Sequence, residues 1–276
     1  MRRRRKASSG CSDPNGPVTD ALSRLGGHAA RRLSRLGALA RFGFGALRAA
    51  TRLTAAGRAV ALRIGVNQVR FTALHAVGLV TLLSGILSFL VISQATRELG
   101  RIGATDLIGT LIVVAIVREL GPLITALVVA GRSGTAIAAE LATNQVLGEV
   151  RALEAMGIDP KQYLVLPRLA GSLVSMFTLL VVFDLVAVLA GYAATSLNGM
   201  SGGRYFDIVL NSLRARDVWL TVLKALAFGT IVGVVPSYFG LAVRRAPTEI
   251  PIAASRATVA SFVGVFVCSA LFVALG

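Results

Sequence analysis

The stretch FTALHAVGLVTLLSGILSFLVISQAT, Phe71–Thr96, contains no Asp, Glu, Lys or Arg and is bracketed by Arg70 and Arg97. A helix needs about 20 apolar residues to cross the hydrocarbon core of a bilayer, so this run is long enough to span it. Four more stretches extend the pattern: about 107–131, 169–196, 218–243 and 257–276. In hydrocarbon every backbone N–H and C=O must be satisfied within the segment, which selects helices for spans of this composition. The fold class is therefore all-α integral membrane, with about five transmembrane helices.

Composition agrees. The 276 residues are 55% hydrophobic and only 15% charged, with a mean hydropathy of +0.73. A soluble domain would carry about 25% charged residues. The net charge of +16 is concentrated at the front. Residues 1–75 hold 15 Lys/Arg against 2 Asp/Glu, and the rest of the chain holds 14 against 11. A basic front end on an apolar body suits an anionic membrane surface better than nucleic acid, and no nucleic-acid partner is expected.

Three regions follow. Residues 1–17 are polar, basic and rich in Pro, Gly and Ser, and are expected to be disordered. Over residues 18–70, Arg recurs among Leu, Phe and Ala. Arg41, Arg48 and Arg52 share one helical face, which predicts one or two basic amphipathic helices lying in the membrane interface, with a solvated Arg-rich arm as the alternative. Residues 71–276 hold the spans. The opening MRRRRKASSGC has no apolar stretch before Cys11 and resembles neither a cleavable nor a lipoprotein signal. Cys11 and Cys268 form no metal or redox spacing. The positive-inside rule then places the N-terminus and the segments 132–168 and 244–256 in the cytoplasm of a multi-pass inner-membrane protein.

A polar helix interrupts the apolar pattern. ELATNQVLGEVRALEAMGIDP, Glu140–Pro160, is built of helix formers and ends at Gly157 and Asp159-Pro160. Val146, Leu147, Val150 and Leu153 form an apolar stripe, and Asn144, Gln145, Glu149, Arg151 and Glu154 decorate the rest. Lying across the cytoplasmic face between spans 2 and 3, it is suited to dock into a groove on a soluble partner. An ordinary interfacial helix is the alternative.

Ionisable groups inside spans cost at least about 2.5 kcal/mol each on insertion scales. Arg118, Glu119, Asp184 and Lys224 all occupy such positions, with Arg118 and Glu119 followed by Gly121-Pro122. Pro122 lacks a helical donor and is expected to kink or split its span. Adjacent residues point about 100° apart on a helix, so Arg118 and Glu119 are not expected to pair with each other. Arg118–Asp184 is the first expected pair, while Lys224 lies nearer the outer face and is expected to snorkel. These charges either fix helix packing or face the substrate. His75 and His28 join no ligand cluster. No nucleophile elbow, zinc-protease signature or Walker A motif is present, so no catalytic residue and no metal site is expected, and ATP hydrolysis falls to another chain.

The sequence VRELGPLITALVVAGRSGTAIAAELATNQVLGEVRALEAMGIDPKQYLVLPR, Val117–Arg168, closely resembles the signature of the MlaE/YrbE permeases. The resemblance continues at Phe183–Tyr192, Leu223–Gly229 and Arg256–Ser261, and covers roughly 67–276. It implies the membrane subunit of an ABC lipid transporter: a permease homodimer with two ATPase subunits, which bind ATP and Mg, and MCE-domain proteins on the outer face. It further implies that Glu140–Gly157 is the coupling helix seated on the ATPase. The chain departs from the family at APTEIPIAAS, Ala246–Ser255, where Pro247 and Pro251 replace a Gly-rich turn. A polar-solute importer permease is the runner-up, because EAMGIDPKQYLVLP superficially echoes those importers' cytoplasmic loop, and a membrane scaffold is the third reading.

Overall fold

The computed structural model describes residues 37, 41–43, 45, 55–103, 107–244 and 246–275, with side chains along the first long helix from Ala76 onward. The expected disorder of residues 1–17 and most of the basic region 18–70 lie outside the described residues. Within the unit Met1–Phe42, Arg41 Nε donates to Gly37 O at 3.2 Å, one helical turn back. The unit beginning at Gly43 contains the bundle.

Seven helices build that bundle among the described residues: α1 (Ala55–Arg101), α2 (Leu107–Val146), α3 (Glu149–Ala155), α4 (Lys161–Ser196), α5 (Gly202–Ser212), α6 (Ala215–Leu241) and α7 (Glu249–Leu275). There is no strand among them. Five helices are long and apolar enough to cross a membrane: the Ala76–Arg101 part of α1, and α2, α4, α6 and α7. The expected boundary between an interfacial region and the first span falls inside α1, which runs unbroken across it. The spans also exceed their expected limits. At 40 residues, α2 is about 60 Å long, twice the hydrocarbon thickness, so a large part of it projects beyond the membrane.

Helix α6 is the centre of the bundle, packed by α2, α4 and α7. Half of its most apolar window is buried, against 11% for α7, so α6 is core and α7 is periphery. Small residues allow this packing, as is usual where helices associate without a hydrophobic driving force. A Cβ on Gly240 would lie 2.7 Å from Ala138 O of α2, so only glycine lets the two backbones approach there. Hydroxyls supply interhelical bonds: Ser84 Oγ donates to Phe183 O at 2.6 Å, and Ser172 Oγ to Gly229 O at 2.9 Å.

Pro122 does not split its span. Helical torsions persist through Leu120 and Gly121, and the chain passes from a wide π-helical stretch, Ile112–Leu120, into an α segment with Pro122 in its first turn. Gly121 N–H bonds five residues back to Ile116 O, so the widened turn absorbs the proline.

The expected single polar helix is two. The α2 ladder ends at Val146, and Gly148 takes φ +81°, a left-handed conformation that glycine adopts without strain. Helix α3 then starts afresh at Glu149. Glu140, Asn144 and Gln145 thus belong to the end of α2, Glu149, Arg151 and Glu154 to α3, and Gly157 and Asp159 to the turn that follows. Gly157 has φ +75°, and Asp159 Oδ1 accepts from Lys161 N–H at 2.9 Å to start α4.

Pro247 and Pro251 fit the connection to α7. Ile250 N–H reaches Pro247 O at 3.2 Å, and Pro251 lies in the first turn of α7, where its missing donor is no loss. Glu249 Oε2 accepts from Arg244 N–H at 2.8 Å and secures the turn.

Candidate functional site

Four charged side chains converge between α2 and α6. Lys224 Nζ donates to Glu119 Oε2 at 2.7 Å and to Arg118 O at 2.9 Å. Arg118 Nη1 lies 3.8 Å from Asp217 Oδ1, and Arg118 Nε lies 3.6 Å from Glu119 Oε1. Those last two separations are beyond good hydrogen-bond length, so they are electrostatic contacts only. Asp217 is also tied down by Arg214 N–H, which donates to its Oδ2 at 3.2 Å in the first turn of α6.

Three expectations change here. Arg118 and Asp184 form no ion pair; the partner is Asp217, because the start of α6 presents its carboxylate to Arg118. Arg118 and Glu119 do approach each other, with Glu119 reaching Lys224 and Arg118 reaching Asp217 on the same helix α6. Lys224 does not snorkel: it is only 1% exposed and fully engaged. The expectation of a cross-helix ion pair holds, through Lys224–Glu119 and Arg118–Asp217.

Asp184 lies elsewhere. Its Oδ1 is enclosed and has no hydrogen-bond partner, and it packs so closely on α2 that a Cβ at Gly121 would come within 2.9 Å of it. Asp184 borders a cavity of about 550 Å³ bounded by α2, α4, α5 and α6. Val117, Leu180, Leu185, Phe206, Leu213 and Val222 are typical of its apolar walls, and Asp184 is the single ionisable residue among the lining side chains. Thr221 lines it too, and its Oγ1 is likewise buried without a partner.

Helix α5 forms one wall of this cavity and was not anticipated from the sequence. Tyr205, Val209 and Leu213 recur at four-residue intervals, as do Phe206 and Leu210, and this spacing is the signal that would have found it. Tyr205 is 1% exposed, and its hydroxyl donates to Val188 O of α4 at 2.8 Å. Burial pushes the Tyr205 phenol up to about 12.

A second constellation lies at the α3 end. Arg168 of α4, 5% exposed, donates from Nη2 to Glu140 Oε1 and from Nη1 to Leu164 O, each at 2.6 Å. Glu140 therefore braces α2 against α4, and α3 does not contain it. On α3 and its flanks Glu149, Arg151 and Glu154 are exposed. Leu147, one of the four residues of the expected apolar stripe, and Met156 are more than 60% exposed beside them. Only Val150 and Leu153 of that stripe pack with Ile137, Leu141 and Leu164, while Val146 packs with Ala142, Val243 and Ala253. Sequence reasoning missed Asp217, Arg168 and Thr221, each lying beyond or at the edge of the windows searched for buried charge. No group of three His, Cys, Asp or Glu suitable for a metal exists among the described residues.

Five apolar spans, a charge network on the core helix and a half-open apolar cavity define a multi-pass helical membrane protein. Residues 65–275 match the family model described as Permease MlaE. The chain belongs to the MlaE permease family and is a transporter permease. It is 31% identical over 180 residues to a probable ABC transporter permease protein of Rickettsia prowazekii, covering 65% of this chain and 70% of that one. A probable ABC transporter permease protein of Synechocystis is 31% identical over 195 residues, covering 70% and 73% of the two chains. The chloroplastic protein TRIGALACTOSYLDIACYLGLYCEROL 1 of Arabidopsis thaliana is 33% identical over 175 residues, which are 63% of this chain and half of that protein.

Proposed function

We propose that this chain is the permease subunit of an ABC transporter that moves lipids between the cytoplasmic membrane and the outer envelope. It works as a homodimer with separate ATPase subunits, which bind ATP and Mg, and with an MCE-domain partner on the outer side. The observation that carries the lipid reading is the cavity of about 550 Å³, whose lining is apolar except at Asp184 and Thr221. Such a surface receives acyl chains and offers a polar solute almost nothing to hydrogen-bond. The galactolipid in the name of the Arabidopsis relative points the same way.

With the N-terminus in the cytoplasm, α3 faces the cytoplasm as well. Its exposed Glu149, Arg151 and Glu154, flanked by Leu147 and Met156, form a mixed polar and apolar knob suited to an ATPase groove. The Lys224–Glu119 and Arg118–Asp217 contacts tie α2, which continues toward α3, to the core helix α6. Motion of the knob is thereby passed to the cavity wall.

The test is purification of the chain from its native membrane, with identification of the proteins and lipids that accompany it. An ATPase, an MCE-domain protein and retained lipid are expected. Recovery of a soluble solute-binding protein without lipid would replace this reading with the polar-solute importer.

A further inference from the structure

Asp184 presents a problem that the bundle does not solve internally. A carboxyl group within a span needs donors, since an unsatisfied buried polar group costs more than its hydrogen bond would return. Its Oδ1 packs against Gly121, but the Gly121 N–H is already given to Ile116 O, and the next residue, Pro122, has no N–H. Of the neighbouring cations, Lys224 bonds Glu119, while Arg118 stands 3.8 Å from Asp217 and 3.6 Å from Glu119 with its Nε unbonded, and neither forms an ion pair with Asp184. Among the described residues no hydrogen bond reaches its buried Oδ1.

Across the same cavity Thr221 Oγ1 is also buried without a partner. A threonine inside a helix ordinarily bonds the carbonyl one turn back, as Thr230 does to Leu226 O at 2.8 Å on this same helix. Two unbonded polar side chains, on α4 and α6, thus border one apolar space.

We propose that Asp184 and Thr221 are specificity-determining residues: the cavity takes an apolar chain carrying a hydrogen-bond donor, a hydroxyl or an amine, which bonds to these two side chains. The inference rests on the lipid-permease reading and narrows its cargo to donor-bearing lipids. A site that buries hydrogen-bonding groups rejects an isostere lacking the donor, because its own groups are then left unpaired.

The test uses the full chain in lipid nanodiscs and three photoreactive probes with one long alkyl chain: a primary alcohol, its methyl ether and the matching primary amine. Wild type is expected to capture the alcohol or the amine at least about tenfold better than the ether, with cross-links on α4 and α6. The ratio of alcohol to amine identifies the donor. Asp184→Leu should abolish the preference while still capturing all three probes, and Thr221→Val should weaken it. Asp184→Asn, which keeps an acceptor, should retain part of it. Equal capture of all three probes by wild type, with cross-links in the cavity, would overturn the proposal and leave the lipid-permease reading standing. Cross-links only outside the cavity would overturn both. The wild-type comparison stands even where a variant does not fold.

Discussion

Lys224 on α6 and Pro122 on α2 meet at one oxygen. Lys224 Nζ donates at 2.9 Å to Arg118 O, the carbonyl four residues before Pro122, which an α-helix would pair with the N–H that proline lacks. The same ammonium holds Glu119 Oε2 at 2.7 Å. Beside the widened turn that absorbs the proline, a lysine from the core helix thus supplies a donor to this carbonyl and neutralises the adjacent carboxylate.

This relationship sets the first prediction. Lys224→Met should destabilise the protein by about 3 kcal/mol, since it strands a partly buried carboxylate and an unpaired carbonyl. Adding Pro122→Ala returns an N–H to Arg118 O and should recover about 1 kcal/mol in the Lys224→Met background, with less gain in wild type. Thermal unfolding of the four proteins in detergent measures the coupling. Equal effects of Pro122→Ala in both backgrounds would show that the carbonyl does not join the two residues.

The brace between α2 and α4 is asymmetric. Arg168 is buried, whereas the Glu140 side chain is 54% exposed. Glu140→Ala strands a guanidinium and should cost about 2 kcal/mol, reduced from a fully buried pair because Glu140 is half in solvent. The double variant Glu140→Ala with Arg168→Leu should be more stable than Glu140→Ala alone, read from the same melts.

Close approach of α6 to α2 depends on Gly240. Gly240→Ala would place its Cβ 2.8 Å from Leu141 Cβ as well as against Ala138 O, an overpacking worth about 1–3 kcal/mol. Gly203→Ala on α5 meets open space and should change stability by less than about 0.5 kcal/mol. Melting temperatures of the two variants test the contrast.

Tyr205 gives the structure an alkaline limit. Its phenol titrates at about 12 in the folded protein against 10.0 unperturbed, so folding favours the protonated form. That contribution is complete below pH about 10 and is lost as pH rises toward 12. Unfolding followed across this window should show falling stability in wild type and a shallower fall in Tyr205→Phe. The variant also loses its bond to Val188 O and should be less stable at neutral pH.

The α3 knob supplies the last prediction. Glu149→Lys with Glu154→Lys, or Leu147→Asp with Met156→Asp, should weaken ATPase docking about tenfold or more while membrane insertion is unchanged. Co-purification of the ATPase at wild-type yield with both double variants would remove α3 from the interface.

The spans were legible because the bilayer imposes a one-dimensional condition. A run such as Phe71–Thr96 must stay apolar over its whole length whatever it packs against, and that condition can be read directly from composition. The presence of Arg118, Glu119, Asp184 and Lys224 in spans was equally plain, and so was the need for partners. Which partner each one found was not. Asp217 lies at the edge of its span, and only the rotation of α6 against α2 brings it to Arg118, leaving Asp184 beside a glycine and a proline with no donor to offer.

Local torsion decided the polar helix. The composition of Glu140–Gly157 favours one continuous helix, and Gly148 is tolerated inside one at a cost of about 1 kcal/mol. Its left-handed φ at that point lets Val150 and Leu153 turn back onto α2 and α4 while Leu147 faces out, an outcome of packing that propensity does not contain. The sequence by itself determined an all-helical membrane permease with buried charges and a polar element between spans 2 and 3, because solvent and periodicity act residue by residue. The tertiary structure alone decided the ion pairs, the cavity and its two unbonded polar side chains, because these depend on the relative rotation and spacing of helices far apart in the chain.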